Sequence, residues 1–396
     1  LLVSMEVFLY ARDYLKLNDM IRGEFYTLRL FAVLGMMIMV SGYSFLTLYL
    51  GLELLSLAMY ALVAFSRDDA AGAEAAMKYF VLGAIASGLL LYGLSIVYGL
   101  TGSLNIGQVQ ALLLGSQGDM SVAAIFGLVF VVVGVAFKLG LVPFHMWVPD
   151  VYHGAPVPVT LLVSSAPKIA AFALAMRLLA EGFAGQLASW QDMLVILAVL
   201  SIGLGNVIAI AQTNIRRMLA YSAISHVGFI TLGILAGTQE GYSAAMFYTL
   251  LYALMSLGTF GLIVVLGGMG RRVEAITDLS GLARQHPWLA LMMMLLLLSM
   301  AGVPPTAGFY AKLAVIESVV RIDMVWLAVY AVVLSVVGAY YYLRVLKVLY
   351  FDEPEGQSVG EPAIDVGAII SFNGLLMILL GVMPGILMGI CTAAFA

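Results

Sequence analysis

The chain has 396 residues, 63% hydrophobic and 10% charged, with a net charge of −4 and a mean hydropathy of +1.07. Soluble domains carry roughly 25% charged residues, so this composition excludes a water-soluble domain and indicates a polytopic all-α membrane protein. No basic patch points to nucleic acid, and the single cysteine, Cys391, excludes an internal disulfide, a CxxC redox pair and a cysteine-ligated iron–sulfur cluster.

Windows of about twenty apolar residues predict twelve membrane helices. In chain order they cover 1–15, 25–42, 45–65, 74–99, 119–141, 154–179, 190–212, 216–236, 241–268, 286–320, 323–349 and 363–392. The run 286–320 is too long for one straight span and contains Gly302, Pro304, Pro305 and Gly308. It is expected to form two half-helices. Residue 1 is leucine and opens directly on an apolar run with no signal-peptide pattern. The expectation is that the natural N-terminus lies upstream.

Loop charges support this count. Odd-numbered loops hold Arg12, Lys16, Arg22, Arg67, Arg216, Arg217, Arg271, Arg272, Arg284, Arg344 and Lys347, and even-numbered loops only Arg177 and Arg321. That asymmetry is a positive-inside pattern. It places the odd loops in the cytoplasm and both chain ends on the opposite side. The chain divides into a first helix and loop (1–24), two units of five helices (25–179 and 190–349) and a C-terminal helix (350–396). The fourth helix of each unit is interrupted by glycine or proline and carries a lysine: Lys138 before Gly140 and Pro143, and Lys312 after Pro304, Pro305 and Gly308. Five is odd, so the second unit enters from the opposite side. An inverted repeat with broken helices is a design of secondary transporters, in which freed backbone lines an ion site.

Five charges fall inside the apolar segments: Glu53, Lys78, Lys138, Lys168 and Lys312. On the insertion scale each costs about 2.5–3.5 kcal/mol at a helix centre. Such residues are by default conducting or coupling sites. Helical spacing puts Tyr49, Ser56 and Tyr60 on the face of Glu53, so that face points into the bundle. Lys78 follows Glu74 by four residues, the favourable order for a helix ion pair, and a bracing role near the interface stays open for it. Lys138 ends an apolar run and is expected to face Glu53, a movable carboxylate partner. Lys168 shares a face with Thr160, Ser164 and Ser165 and follows Pro167, which loosens the helix there. Lys312 follows the second break, with Glu317 off its face.

His145 and His226 are candidate relays, since neutral imidazole both accepts and donates a proton. His153 and His286 fall in predicted loops, where solvated side chains are expected. No histidine–carboxylate spacing suits a metal, no Ser/His/Asp set suggests hydrolysis, and there is no phosphate loop or dinucleotide fingerprint. The chain itself is expected to bind no nucleotide.

The stretch from Phe137 to Val159 resembles the subunit N family of proton-pumping NADH–quinone oxidoreductase, respiratory complex I. So do Gly51–Ser56, Glu74–Tyr79, Gln212–His226 and Ala301–Lys312. The resemblance runs the length of the chain. Most of these strings are shared by the antiporter-like subunits of the complex and by sodium–proton antiporters. The Pro149-Asp-Val-Tyr-x-Gly-Ala-Pro156 string is the one specific to subunit N.

The resemblance implies a fourteen-helix fold with inverted five-helix repeats, of which the first two helices are absent here. It implies that Glu53 matches the glutamate of the family's fifth helix and Lys78 the lysine of its sixth. Lys138 matches the lysine of the broken seventh, Lys168 that of the eighth and Lys312 that of the broken twelfth. It further implies proton translocation coupled to quinone reduction elsewhere in the complex. NADH, flavin, iron–sulfur clusters and quinone would be served by other subunits, with no cofactor or metal here. Expected partners are neighbouring antiporter-like membrane subunits and the lipid bilayer, and the expected location is the bacterial cell inner membrane. Two other readings use the same residues: a stand-alone sodium/proton antiporter, and a scaffold whose buried charges form static salt bridges.

Overall fold

The computed structural model describes residues 1–115, 122–354 and 360–396. The described residues are overwhelmingly helical, and their only β-pairing is two isolated antiparallel bridges. In chain order the helices are α1 (Leu2–Leu17), α2 (Gly23–Ser41), α3 (Phe45–Val63), α4 (Ala70–Thr101), α5 (Ile106–Gly115), α6 (Val122–Leu139), α7 (Trp147–Gly154), α8 (Val157–Ser164) and α9 (Ala166–Ala175). They continue with α10 (Leu187–Ala211), α11 (Ile215–Leu235), α12 (Gln239–Gly268), α13 (Leu282–Gln285), α14 (Pro287–Ala301), α15 (Ala307–Arg321), α16 (Val325–Phe351), α17 (Ile364–Val382) and α18 (Gly385–Ala393).

Ten spans among the described residues are long and apolar enough to cross a membrane, the π-helical turn after α9 extending α8–α9 to Gly182. The apolar helix α14 is shorter, as expected of a half-helix. All twelve predicted segments are helical where described. The start of the segment 119–141 and part of the C-terminal unit 350–396 lie outside the described residues. Two connections predicted as loops contain helices instead, α5 and α7. α7 is too short and too polar at Asp150 and His153 to register as an apolar window.

Polar caps set several boundaries. Asp69, Asn214 and Thr238 each accept a backbone N–H from the first turn of α4, α11 and α12. The interior helices are the most enclosed: α11 and α12 are buried over most of their length, whereas α2, α4 and α16 keep apolar outer faces. Those outer faces carry large exposed side chains such as Leu30, Phe80, Tyr92, Trp326 and Val336.

The two predicted five-helix units share several details. The bridge Ser44–Asn105 has a counterpart in Asn214–Ala275, both ends shifted by the same interval of sequence. The same interval separates Gly35 from Gly205. A Cβ on Gly35 would stand 2.6 Å from the Leu55 backbone nitrogen, and one on Gly205 2.7 Å from that of Ser225. Only glycine permits these close crossings of α2 on α3 and α10 on α11.

The two breaks also end alike. α6 stops at Gly140 (φ 86°) and α14 at Gly302 (φ 83°). In each, the glycine N–H and the next residue's N–H fold back on the last turn: Leu141 bonds to the Ala136 carbonyl and Val303 to that of Leu298. This is the Schellman arrangement. A cis peptide bond follows each glycine, at Val142–Pro143 and Pro304–Pro305.

Candidate functional site

A helix C-terminus leaves four carbonyls without intrahelical partners. The Schellman bonds at each break satisfy the first two of these and leave the last two, the final one belonging to the residue just before the glycine. In the first break that is Leu139, and the Lys168 ammonium donates to it at 2.7 Å. In the second it is Ala301, and the Lys312 ammonium donates to it at 2.8 Å. Two lysines on different helices thus cap the two broken helices. A cation there also meets the negative end of the helix dipole. The site stabilises charge on each lysine without an acidic partner.

Aromatic rings complete both sites. The Lys168 nitrogen lies 5.5 Å from the Trp147 ring centre and the Lys312 nitrogen 5.2 Å from that of Phe229, both within cation–π range. Lys312 also donates to Ser335 on α16 at 2.9 Å. Pro167 has the expected effect on Lys168: the helix is interrupted at Ser165, between α8 and α9, and Lys168 stands in the first turn of α9. That places its side chain under the end of α6.

Lys138, in the last turn of α6, donates to Ser56 on α3 at 2.9 Å. It forms no ion pair with Glu53. Ser56 shares the Glu53 face of α3, and one Glu53 oxygen is buried with no hydrogen-bond partner. The Ser56 hydroxyl donates to the Leu52 carbonyl and accepts from Lys138, so a serine takes the place of the expected carboxylate contact.

Burial separates the lysines sharply. Lys138, Lys168 and Lys312 are 8%, 3% and 8% exposed, whereas the Lys78 side chain is 45% exposed. Lys78 pairs with Glu74 at 2.7 Å and with Asp150 of α7 at 2.8 Å. The other Asp150 oxygen pairs with Arg217 of α11 at 2.8 Å. The structure therefore places Lys78 in an ionic cluster joining α4, α7 and α11, apart from the buried lysines.

His226 is 3% exposed and held at both ring nitrogens. Nδ1 meets the Tyr248 hydroxyl at 2.8 Å and Nε2 the Tyr342 hydroxyl at 3.0 Å. Tyr342 in turn makes a short hydrogen bond with Ser222. Such a ring can accept at one nitrogen and donate at the other. His145 lies half-buried in the first break, its Nδ1 without a partner and bonded to none of the other candidates. The two predicted loop histidines differ from expectation: His153 is in the last turn of α7, and His286 is buried at the start of α14.

Several participants were not singled out in the sequence. Asp150 sat inside a motif string, and its ion pairs need the fold to be seen. Tyr248 and Tyr342 are ordinary aromatic residues in apolar helices. Glu6, a carboxylate inside the first predicted helix, bonds to Asn373 of α17. Its position in an apolar run was a readable signal. Among the described residues no group of histidine, cysteine or acidic side chains is placed to hold a metal ion.

Among the described residues, ten spans, two helices broken at matching turns and two buried lysines capping those breaks define an antiporter-like, multi-pass membrane subunit. The family described as NADH:quinone oxidoreductase/Mrp antiporter, TM, matches residues 42–338. NADH-quinone oxidoreductase subunit N of Thioalkalivibrio sulfidiphilus is 60% identical over 395 residues, covering 100% of this chain and 82% of that protein. Subunit N of Thiobacillus denitrificans is 58% identical over 388 residues, covering 98% and 80%. A chain of respiratory complex I from Thermus thermophilus superposes with a TM-score of 0.82 at 34% identity, covering 98% of this chain and 84% of that one. A chain of the Mrp complex from Dietzia matches in fold, with a TM-score of 0.86 at 21% identity, covering 100% and 82%. The chain belongs to the NADH-quinone oxidoreductase subunit N family, and it is a multi-pass protein of the bacterial inner membrane.

Proposed function

We propose that this chain translocates protons as an antiporter-like membrane subunit of NADH–quinone oxidoreductase, alongside other membrane subunits of that complex. Quinone reduction, and the NADH, flavin and iron–sulfur chemistry behind it, belong to other subunits. Residues 25–179 and 190–349 form its two inverted five-helix units, flanked by 1–24 and 350–396.

The observation that carries this reading is the matched capping of the two breaks by Lys168 and Lys312. A protonated lysine at each break is held by a carbonyl and a helix dipole, and a neutral amine is held less well. A proton taken up at Lys138 is held by the Ser56 hydroxyl and favoured through space by the charge of the nearby Glu53 carboxylate. When Glu53 is drawn away, Lys138 gives its proton to Lys168, whose bond to Leu139 places it beside the Lys138 backbone. His226, bonded on both sides, bridges toward Lys312, which releases the proton to the far side. Lys78 tunes this line from the ionic cluster at Asp150.

The test is Lys168→Ala in the assembled complex, reconstituted in vesicles, with protons moved per electron as the readout. Pumping is expected to fail while electron transfer in uncoupled vesicles persists. Unchanged pumping would remove Lys168 from the line.

A further inference from the structure

On the arginine-rich side of the molecule a cavity of about 600 Å³ opens between α1, α7, α11 and α12. Asn18, Asp69, His153, Arg216, Arg272 and Glu274 give it a polar wall. The positive-inside pattern makes this the cytoplasmic side. A polar cavity of this size holds water, which forms hydrogen bonds with such groups.

Beneath it lies Tyr152. Its neighbours His153, Gly154, Ala155 and Pro156 line the cavity. Its ring packs edge-on against Phe260 at 5.6 Å, one turn of α12 before Ile263, which also lines the cavity. Tyr152 is completely buried, yet its hydroxyl has no aligned hydrogen bond. A buried hydroxyl left unpaired costs about 1–3 kcal/mol, so such groups are rare and call for an explanation. The hydroxyl of Tyr252 on α12 stands opposite, and Tyr252 also faces Ser256. The Ser256 hydroxyl is likewise buried and unpaired. The Tyr252 ring lies 5.1 Å from that of His226, and α12 packs on α9, the helix of Lys168.

We propose that Tyr152 is the proton-intake residue of this subunit, passing protons from the cytoplasmic-side cavity to Tyr252 and Ser256 and so to the buried lysines. This rests on the proton-translocating function proposed above. The Tyr152 oxygen takes a proton from cavity water while its own hydroxyl proton moves to the Tyr252 oxygen. Tyr252 hands its proton to Ser256, and Ser256 hands its own to the neutral amine that opens the buried lysine line. Each oxygen ends with one proton, the lysine gains the charge, and rotation of the hydroxyls resets the chain. The unpaired hydroxyls at Tyr152 and Ser256 are what such a chain needs, because each must be free to turn.

The test uses Tyr152→Phe and Tyr252→Phe in the complete complex in vesicles, with proton pumping and its solvent deuterium isotope effect measured. Removing an unpaired hydroxyl strands no partner, so Tyr152→Phe is expected to assemble normally. The expected result is a loss of pumping rate per electron with an altered isotope effect. Unchanged pumping and an unchanged isotope effect in Tyr152→Phe overturn the inference. If Tyr152→Phe fails to assemble, Tyr252→Phe decides by the same criterion. Lys168→Ala, run in parallel, separates the two ideas: if it alone stops pumping, only the intake route is wrong.

Discussion

Asp150 and Lys312 each stand ten residues after the left-handed glycine that ends a broken helix, Gly140 in one case and Gly302 in the other. Matching positions thus carry opposite charges. Lys312 is buried and held by a carbonyl and a serine, while Asp150 is partly exposed and held by two cations. One break places a cation in the interior, and the other ties its second half to the rim.

That rim cluster is open to salt. Half-exposed ion pairs are screened by added ions. Asp150→Asn releases Arg217, leaves Lys78 paired with Glu74 alone, and loosens α7 from α4 and α11. The variant is expected to unfold at a lower temperature than the parent in low-salt detergent. The difference should shrink in high salt, and thermal unfolding at two ionic strengths reads it directly. A difference independent of salt would contradict the electrostatic account.

Gly302 has no tolerance for a side chain. Its φ of 83° costs any other residue about 1–2 kcal/mol, and a Cβ there would stand 2.9 Å from Lys312 Cδ. Gly302→Ala is expected to push the lysine off the Ala301 carbonyl. Proton pumping should fall at least as far as in Lys312→Met, while membrane insertion is retained.

Ser56 is the hydrogen-bond partner of Lys138. Ser56→Ala removes it without creating a clash, and Ser56→Thr restores the hydroxyl. Pumping in vesicles should drop in the first and recover in the second. Equal activity in both would remove the serine from the hold on Lys138.

Replacing His226 by Phe keeps the bulk but strips both ring nitrogens. Both tyrosines lose a bond, but Tyr342 retains Ser222, so Tyr248 alone is left unpaired. An unpaired buried hydroxyl costs about 1–3 kcal/mol. A modest fall in thermal stability is expected alongside a larger loss of pumping. A loss of stability with full pumping would make the histidine purely structural.

The helices were readable because apolar windows and loop arginines are strong local signals. Glycine and proline marked both breaks for the same reason. The lysines stood out as charges in apolar runs, but their partners did not. Lys138 is expected against Glu53, and only the folded bond from its ammonium to Ser56 shows the hydroxyl in that place. α7 was missed because eight residues containing aspartate and histidine leave no apolar window. The capping of Leu139 and Ala301 by lysines is a long-range fact, set by where α9 and α15 pack, and nothing in the spacing encodes it.

The capping of each break has a mechanical side. Where a lysine nitrogen is bonded to the last carbonyl of a half-helix, neither can move without the other sensing it. Discharging the lysine slackens that tether, and pulling the half-helix strips the amine of its strongest acceptor. A side chain's ionisation and a backbone's posture become two readings of one coordinate. A push delivered at one end of a helix could then be felt as chemistry in the middle of the bilayer.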